Sequence, residues 1–303
     1  MTVSAALGPL MLALLAPLVP GVANRVKSVL TGRRGAPVFQ LYADLARLWR
    51  KGVVYSDPTT VLFRLAPIAL LATTLLATGL LPLDGRAAPL GFPGDLVALA
   101  GLLALGRFLL VLAAMDTGSS FEGMGASREV TIAAFGEPAL YLCFTVLAVS
   151  TGELRLETML GAPLGSAWGR AAPSLLLALA GLFVLLLAEN ARVPVDDPLT
   201  HLELTMIHEV MALDHSGPDL ALILYAAALK LSLFAALLVA VLLPRAGLAP
   251  GVALLVLAAG LLLVGIAVGV VESVMARLRM QRIPHLLVAA LALVGFGLVL
   301  LIR

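Results

Sequence analysis

The sequence predicts an all-α integral membrane protein with about eight transmembrane helices and one amphipathic helix on the cytoplasmic side. Three observations predict it. Of 303 residues, 61% are hydrophobic and only 13% charged, where a soluble domain carries about 25% charged residues. Mean hydropathy is +1.07, and apolar runs long enough to cross ~30 Å of hydrocarbon recur along the whole chain. Lys and Arg, finally, fall unequally on alternate connections between those runs.

The runs are residues 3–23, 61–81, 95–115, 130–149, 172–189, 219–243, 251–271 and 284–302. Pro, Gly and charge separate them, as at Pro82–Gly85, Pro163–Gly165 and Pro244–Gly247. The first run has no basic residue before it, while Arg25, Lys27, Arg33 and Arg34 follow it. A cleaved leader has the opposite order, so the expectation is a retained first span. Odd-numbered connections and flanks hold thirteen Lys and Arg, eight from Arg25 to Arg64 plus Arg128, Arg192, Arg277, Arg279 and Arg282. The other side has five: Arg86, Arg155, Arg170, Arg245 and Arg303. The positive-inside rule then puts residues 24–60 and 189–218 in the cytoplasm and both termini outside. The chain reads as a single polytopic membrane domain, 1–303.

Within the 24–60 loop, residues 37–51 alternate between faces. Val38, Leu41, Leu45, Leu48 and Trp49 make one apolar stripe, with Arg47, Arg50 and Lys51 beside it. Such a helix lies in the membrane interface or cradles a partner protein, and the two uses are compatible.

Charge inside a span costs roughly 2.5–3.5 kcal/mol at its centre. Arg107, Glu137 and Lys230 carry that cost within spans, and Glu189 and Glu272 close spans. Arg107 either pairs with an acid to orient two helices or serves transport; Glu272 is either solvated at a boundary or functional. Arg128 and Glu129 stand at the mouth of the fourth run, and Glu129 is about 12 Å along a helix from Glu137 at 1.5 Å per residue.

The densest cluster is "ENARVPVDDPLTHLELTMIHE", residues 189–209. Glu189, Asp196, Asp197, Glu203, Glu209 and Asp214 fall in it or just after, with His201, His208 and His215. Pro194 and Pro198 bracket the two aspartates and interrupt helix. A helix can resume at Pro198, with Leu199, Leu202, Met206, Val210 and Leu213 on one face and Asp197 as its N-cap. Seven-residue steps would put the histidines on one stripe, roughly 10 Å apart, too far for one metal ion whose ligand bonds are about 2 Å. The order HLELTMIHE is also not the H-E-x-x-H of zinc hydrolases. Imidazoles among carboxylates suit proton exchange near neutral pH or contact with a partner.

Other chemistries find no support. The single Cys143 lies in an apolar run and supplies no disulfide or cysteine cluster. There is no G-x-S-x-G and no G-x-x-x-x-G-K, and "GSSFEGMGASRE" follows no strand. A nucleic-acid role lacks a basic domain.

Four stretches together carry a resemblance: "TGRRGAPVFQLYADLARLWRKG", "DTGSSFEGMGASRE", "ENARVPVDDPLTHLELTMIHE" running on to "DHSGPDLAL", and "VESVMARLRMQRIP". In this order the chain resembles the membrane-subunit family shared by respiratory complex I and group 4 [NiFe] hydrogenases. Within it, the chain is similar to the hydrogenase branch, hydrogenase-4 component C and formate hydrogenlyase subunit 4. The resemblance implies a subunit that joins a cytoplasmic redox arm to a proton-translocating membrane arm and has no catalysis of its own. By position it implicates Arg128, Glu129, Glu137, Glu189, Arg192, Asp196, Glu203 and Asp214. Where complex I relatives carry Pro-Phe-Asp-Leu-Pro-Glu-Ala-Glu, this chain has "PVDDPLTH", residues 194–201, which resembles the hydrogenase branch and leaves quinone binding unassigned.

The expected charge-relay residues are Glu129, Glu137, Glu189, Asp196, Asp197, Glu203, Glu209, Asp214 and Lys230. The expected partner interface comprises Arg33, Arg34, Asp44, Arg47, Arg128, Arg192, His201, His208, Arg277 and Arg279. The resemblance implies hydrogenase-like large and small subunits and iron–sulfur subunits on the cytoplasmic side, with the nickel–iron centre and clusters in those partners, and antiporter-like subunits beside it in the bilayer. The resemblance also implies a bacterial inner membrane. The rival readings are a quinone-site subunit of a complex I-type dehydrogenase, a free-standing ion transporter and a passive anchor.

Overall fold

The computed structural model describes residues 6–196, 206–245 and 247–302. Those residues form a helical bundle in which eight helices are long and apolar enough to cross a membrane. The first crossing is two helices, α1 (Leu7–Leu15) and α2 (Leu18–Leu30), broken at Ala16–Pro17. A short α3 (Gln40–Leu48) follows inside the amphipathic stretch. Then come α4 (Val61–Gly79), α5 (Asp95–Asp116), α6 (Ser120–Thr151), a one-turn α7 (Leu156–Met159), α8 (Ala162–Glu189), α9 (Gly217–Leu242), α10 (Pro250–Val274) and α11 (Ile283–Ile302).

All eight expected crossings are present, but two begin well before their apolar runs. The fourth starts at Ser120, not 130, and the fifth at Ala162, not 172. Hydropathy misses these turns because Glu122, Arg128, Glu129 and Arg170 dilute them. Glu122 and Glu129 are in fact buried, so the early turns of α6 lie among other protein segments. Pro138 and Pro173 sit inside α6 and α8, and α8 kinks at Ala171, two residues before its proline.

Helix α9 is the most deeply buried crossing and α11 the most exposed. Around α9 pack α1, α2, α3, α4, α8 and α10. A second group, α6, α8 and α11, packs together, and α5 bridges α4 to α6. Among the described residues, one end of the bundle carries 31–60, 117–119, 190–196, 206–216 and 275–282; the opposite end carries 80–94, 152–161, 243–245, 247–249, the start of α1 and the end of α11.

At the loop-rich end, the connections hold each other. The Ser216 hydroxyl accepts the Val54 amide at 3.0 Å. Gly217 has φ +54°, and a Cβ there would lie 2.6 Å from the Gly52 carbonyl oxygen, so the "DHSG" turn clamps the chain following α3. Asp116 accepts the Thr60 amide and hydroxyl at 2.7 and 2.8 Å, tying the end of α5 to the start of α4. The Leu278 amide donates to the Pro194 carbonyl at 2.9 Å.

The helix expected from Pro198 through Leu213 does not run that far. Residues 206–208 are irregular, and only a 3-10 turn, Glu209–Ala212, follows. The Asp196 carboxylate accepts the Ile207 and His208 amides at 2.9 and 3.4 Å, which satisfies this turn without a long helix. His208 and His215 consequently share no helical stripe. Asp197, His201 and Glu203, with the start of that expected helix, lie outside the described residues.

Candidate functional site

Four helices each send one charged side chain to the same place. Arg107 comes from α5, Glu137 from the middle of α6, Glu189 from the last residue of α8 and Lys230 from the middle of α9. Arg107 Nη1 donates to Glu189 Oε1 at 2.6 Å, while Nη2 donates to Glu137 Oε1. Lys230 Nζ donates to Glu189 Oε2 and to the Glu189 carbonyl, both at 2.8 Å. Two cations face two carboxylates, so the cluster is neutral when all four are ionised.

Glu189 is the centre of this group, with its side chain 6% exposed. A carboxylate at a helix C-terminus opposes the helix dipole. Lys230 offsets this by binding both the carboxylate and the terminal carbonyl. Gly136, one residue before Glu137, makes the room: a Cβ there would approach Glu189 Oε1 to 3.1 Å. Glu137 differs from the others, because 40% of its side chain remains exposed on the flank of the bundle. Ala134, Tyr141 and Thr145 are exposed on the same stripe of α6.

Nearer the loop-rich end is a second pair. Glu129 is buried on α6, and His208 Nδ1 lies 3.2 Å from its Oε2. Asp196 holds the His208 backbone in place and meets Arg277 Nη2 at 2.8 Å through its other oxygen. A cavity of about 30 Å³ separates this pair from the four-helix cluster; Thr74, Arg107, His208 and Lys230 line it with apolar neighbours. That volume exceeds the ~10–15 Å³ a water needs, and the lining supplies polar partners. One further group sits close by, where Glu272 of α10 receives Arg192 at 3.4 Å and Lys27 at 3.9 Å.

The structure thus brings together Glu129, Glu137, Glu189, Lys230, His208, Asp196 and Arg277. Arg128 is half-buried and donates to the Met206 carbonyl at 2.8 Å, and Arg192 is buried and turned toward Glu272, so both face inward more than a surface contact would require. Glu209 is half-buried on the 3-10 turn, whereas Asp214 is exposed and engages Glu122 Oε1 through its amide at 3.1 Å. Arg33, Arg34, Arg47 and Arg279 are exposed; Asp44, half-buried, accepts Gln40 Nε2 at 2.9 Å and lies 3.4 Å from Arg47. Arg107 as the hub, Glu122 and Glu272 were absent from the expected relay. Arg107 and Glu272 carried a signal, charge within or closing a span; Glu122, between Phe121 and a glycine, carried none. "GMGASRE" also acquires a packing role, since a Cβ on Gly125 would collide with Val210 and lie 3.0 Å from the Ile207 carbonyl oxygen.

Among the described residues no three His, Cys, Asp or Glu side chains could hold a metal ion. His215, at the loop-rich end, stacks on Phe63 with ring centroids 3.8 Å apart, and neither ring nitrogen has a hydrogen-bond partner among the described residues. Burial pushes its pKa down to about 4.

Fold and site together define a multi-pass membrane protein organised around a buried ionic network. The chain belongs to the NADH dehydrogenase family, whose family model matches residues 3–303. It is 34% identical over 281 residues to hydrogenase-4 component C of Escherichia coli (strain K12), covering 90% of this chain and 87% of that one. It is 31% identical over 294 residues to formate hydrogenlyase subunit 4 of the same organism, covering 95% and 93%. These likenesses bear out the resemblance of the four motifs to the hydrogenase branch. Its backbone is similar to a chain in the structure of the membrane-bound sulfane sulfur reductase, an archaeal respiratory membrane complex, with a TM-score of 0.86 over 98% of both chains. At 18% identity that likeness is one of fold.

Proposed function

We propose that this subunit couples a redox arm seated on its loop-rich end to proton movement in the membrane, relaying charge from the loops to the flank of the bundle. The proposed route runs from Asp196 and the Glu129–His208 pair, across the small cavity, through Arg107, Lys230 and Glu189, to Glu137. One observation carries it: a mid-span carboxylate, Glu137, is exposed on the flank while tied inward to Arg107. In lipid such a group is costly, so a polar face of a neighbouring membrane subunit is the fitting cover. Protons pass between the carboxylates and His208 as partners change, while Arg107, which keeps its charge, and Lys230 steer them by releasing and recapturing Glu189 and Glu137.

The excess of Lys and Arg supports a cytoplasmic loop-rich end and outer termini, and the two Escherichia coli relatives support the inner membrane. The exposed Arg33, Arg34, Arg47 and Arg279 are the proposed contacts for the hydrogenase-like and iron–sulfur subunits, which would hold the nickel–iron centre and clusters. Antiporter-like subunits are the proposed neighbours at Glu137. No residue of this chain is assigned to quinone.

The test is Glu137→Gln in the intact complex reconstituted in vesicles. Protons moved per electron should fall sharply, because the amide carries no titratable proton, while uncoupled redox turnover and subunit composition stay unchanged. An unaltered proton-to-electron ratio rejects the relay and leaves anchoring as the function.

A further inference from the structure

The end opposite the ionic network holds a polar cavity of about 290 Å³. It is closed by the α4–α5 connection, the turns around α7 and the α9–α10 connection, and Arg86, Glu153, Glu157, Thr158 and Arg245 line it. Arg245 is the unusual member. It is 4% exposed, and its Nη1 donates to the Leu83 carbonyl at 2.8 Å. Among the described residues no carboxylate lies within ion-pairing distance of its guanidinium, and the donors not used on Leu83 open on the cavity. Burial pushes its pKa down to about 10, with Asp84 near enough only to oppose the shift in part. Asp84 itself uses Oδ1 to accept the Arg86 amide at 3.1 Å, and its buried Oδ2 has no partner among the described residues. A buried guanidinium without an anion is costly, and its planar fork suits a phosphate.

The same cavity carries acidic groups. Glu153 Oε2 accepts the Thr158 hydroxyl at 2.9 Å, and Glu157 lies 2.8 Å from Arg155. A simple anion would be repelled by them; a ligand with a phosphate and a nearby ammonium would satisfy both signs. The surroundings are those of the membrane interface. Leu154, Leu242, Leu243 and Leu248 on the flanking turns are exposed, and Trp168 donates its indole N–H to the Val241 carbonyl at 2.9 Å, the kind of amphipathic ring found at headgroup level.

We propose that this cavity binds the headgroup of a zwitterionic aminophospholipid, with Arg245 and Arg86 on the phosphate and Glu153 and Glu157 on the primary ammonium. The exposed leucines would lie along the acyl chains. The bound lipid would tie three connections of the bundle together at the end away from the redox arm.

The intact complex, stripped of lipid in detergent and placed in nanodiscs of phosphatidylethanolamine with phosphatidylglycerol, supplies the test, against matched discs of phosphatidylcholine with phosphatidylglycerol. After detergent exchange, native mass spectrometry should find one phosphatidylethanolamine more per complex than in the Arg86→Gln/Glu153→Gln double variant. Phosphatidylcholine, whose quaternary ammonium has no N–H to donate, should be retained about tenfold less, the cost of losing a hydrogen bond to a charged group. The double variant leaves the Arg245–Leu83 bond intact, so the complex should still assemble; Arg245→Gln gives a second reading where it folds. Free phosphoethanolamine should displace the lipid. Equal retention of both lipids, or no difference between wild type and variant, overturns the proposal. Protection from heating by inorganic phosphate alone, without lipid retention, assigns the cavity to a free anion and overturns the lipid assignment.

Discussion

The two ends of this bundle bury charge in different ways. Toward the loop-rich end, side chain meets side chain: Arg107, Glu137, Glu189 and Lys230 join four helices. Asp196 there bonds backbone as well. At the opposite end the half-exposed Arg155 and Glu157 pair with each other, but the fully buried charges meet backbone: Asp95 accepts the Leu156 amide at 2.7 Å, Arg245 donates to the Leu83 carbonyl and Asp84 accepts the Arg86 amide. A bond to backbone fixes a loop and yields only when the loop moves. A pair of side chains exchanges partners by rotation about its own χ angles. The contrast teaches that ionic rearrangement is available in one half of the molecule, and stapling dominates the other.

The largest effect should come from breaking the pair at its centre. Glu189→Gln removes the anion from both Arg107 and Lys230, and uncompensated buried charge costs about 3–5 kcal/mol. Asp95→Asn keeps the oxygen that accepts the Leu156 amide, so about 1 kcal/mol is expected. The check is the thermal aggregation midpoint of each purified complex, with Glu189→Gln far below wild type and Asp95→Asn close to it. Comparable losses would erase the distinction between the two ends.

A smaller effect probes the room left for Glu189. Gly136→Ala puts a methyl 3.1 Å from its Oε1, whereas Gly101→Ala on α5 meets nothing within 4 Å. Replacing a helical glycine in open space gains roughly 0.5–1 kcal/mol; crowding a packed site costs about 1–3 kcal/mol. Gly101→Ala should therefore raise the melting midpoint and Gly136→Ala lower it; the proposed relay adds a fall in protons moved per electron for Gly136→Ala. A stabilising Gly136→Ala would mean that the carboxylate has slack and that the network is looser than its distances suggest.

Much of this was legible in the sequence, for physical reasons. Crossing a bilayer demands about 20 apolar residues, so eight such runs declare eight helices. Charge in lipid is expensive enough that Arg107, Glu137, Glu189 and Lys230 stand out singly. Their convergence was not legible: periodicity says which face of a helix a residue occupies, not which partner helix supplies its counter-charge. The same limit hid the early turns of α6, whose charges are compensated by neighbours such as His208 that are distant in sequence. The loop after Pro194 misled in another way. Its i, i+3, i+4 apolar spacing suits a helix, yet Val210 and Met211 are buried from a 3-10 turn held by Asp196, since a short turn can bury the same residues without helix.

The last expected effect, absent at neutral pH and growing only in acid, is a pH dependence that separates the ends once more. His215 has its pKa pushed down to about 4 by burial, against about 6.5 in an unfolded chain. The folded state therefore favours the neutral ring. Its contribution is fully present above about pH 6.5 and is lost as pH falls toward 4, because the unfolded chain takes up the proton first. At the opposite end, Arg245 is pushed down to about 10, so both its folded and unfolded forms stay charged throughout the acid range and it adds no slope there. His215→Phe keeps an aromatic ring against Phe63 and removes the titration. Melting midpoints of wild type and variant complexes should run parallel above pH 7 and separate between pH 6.5 and 4, with wild type falling faster. Parallel curves through that window would mean that the His215 ring is solvated in the folded complex, and the acid sensitivity of the loop-rich end would then belong to its carboxylates.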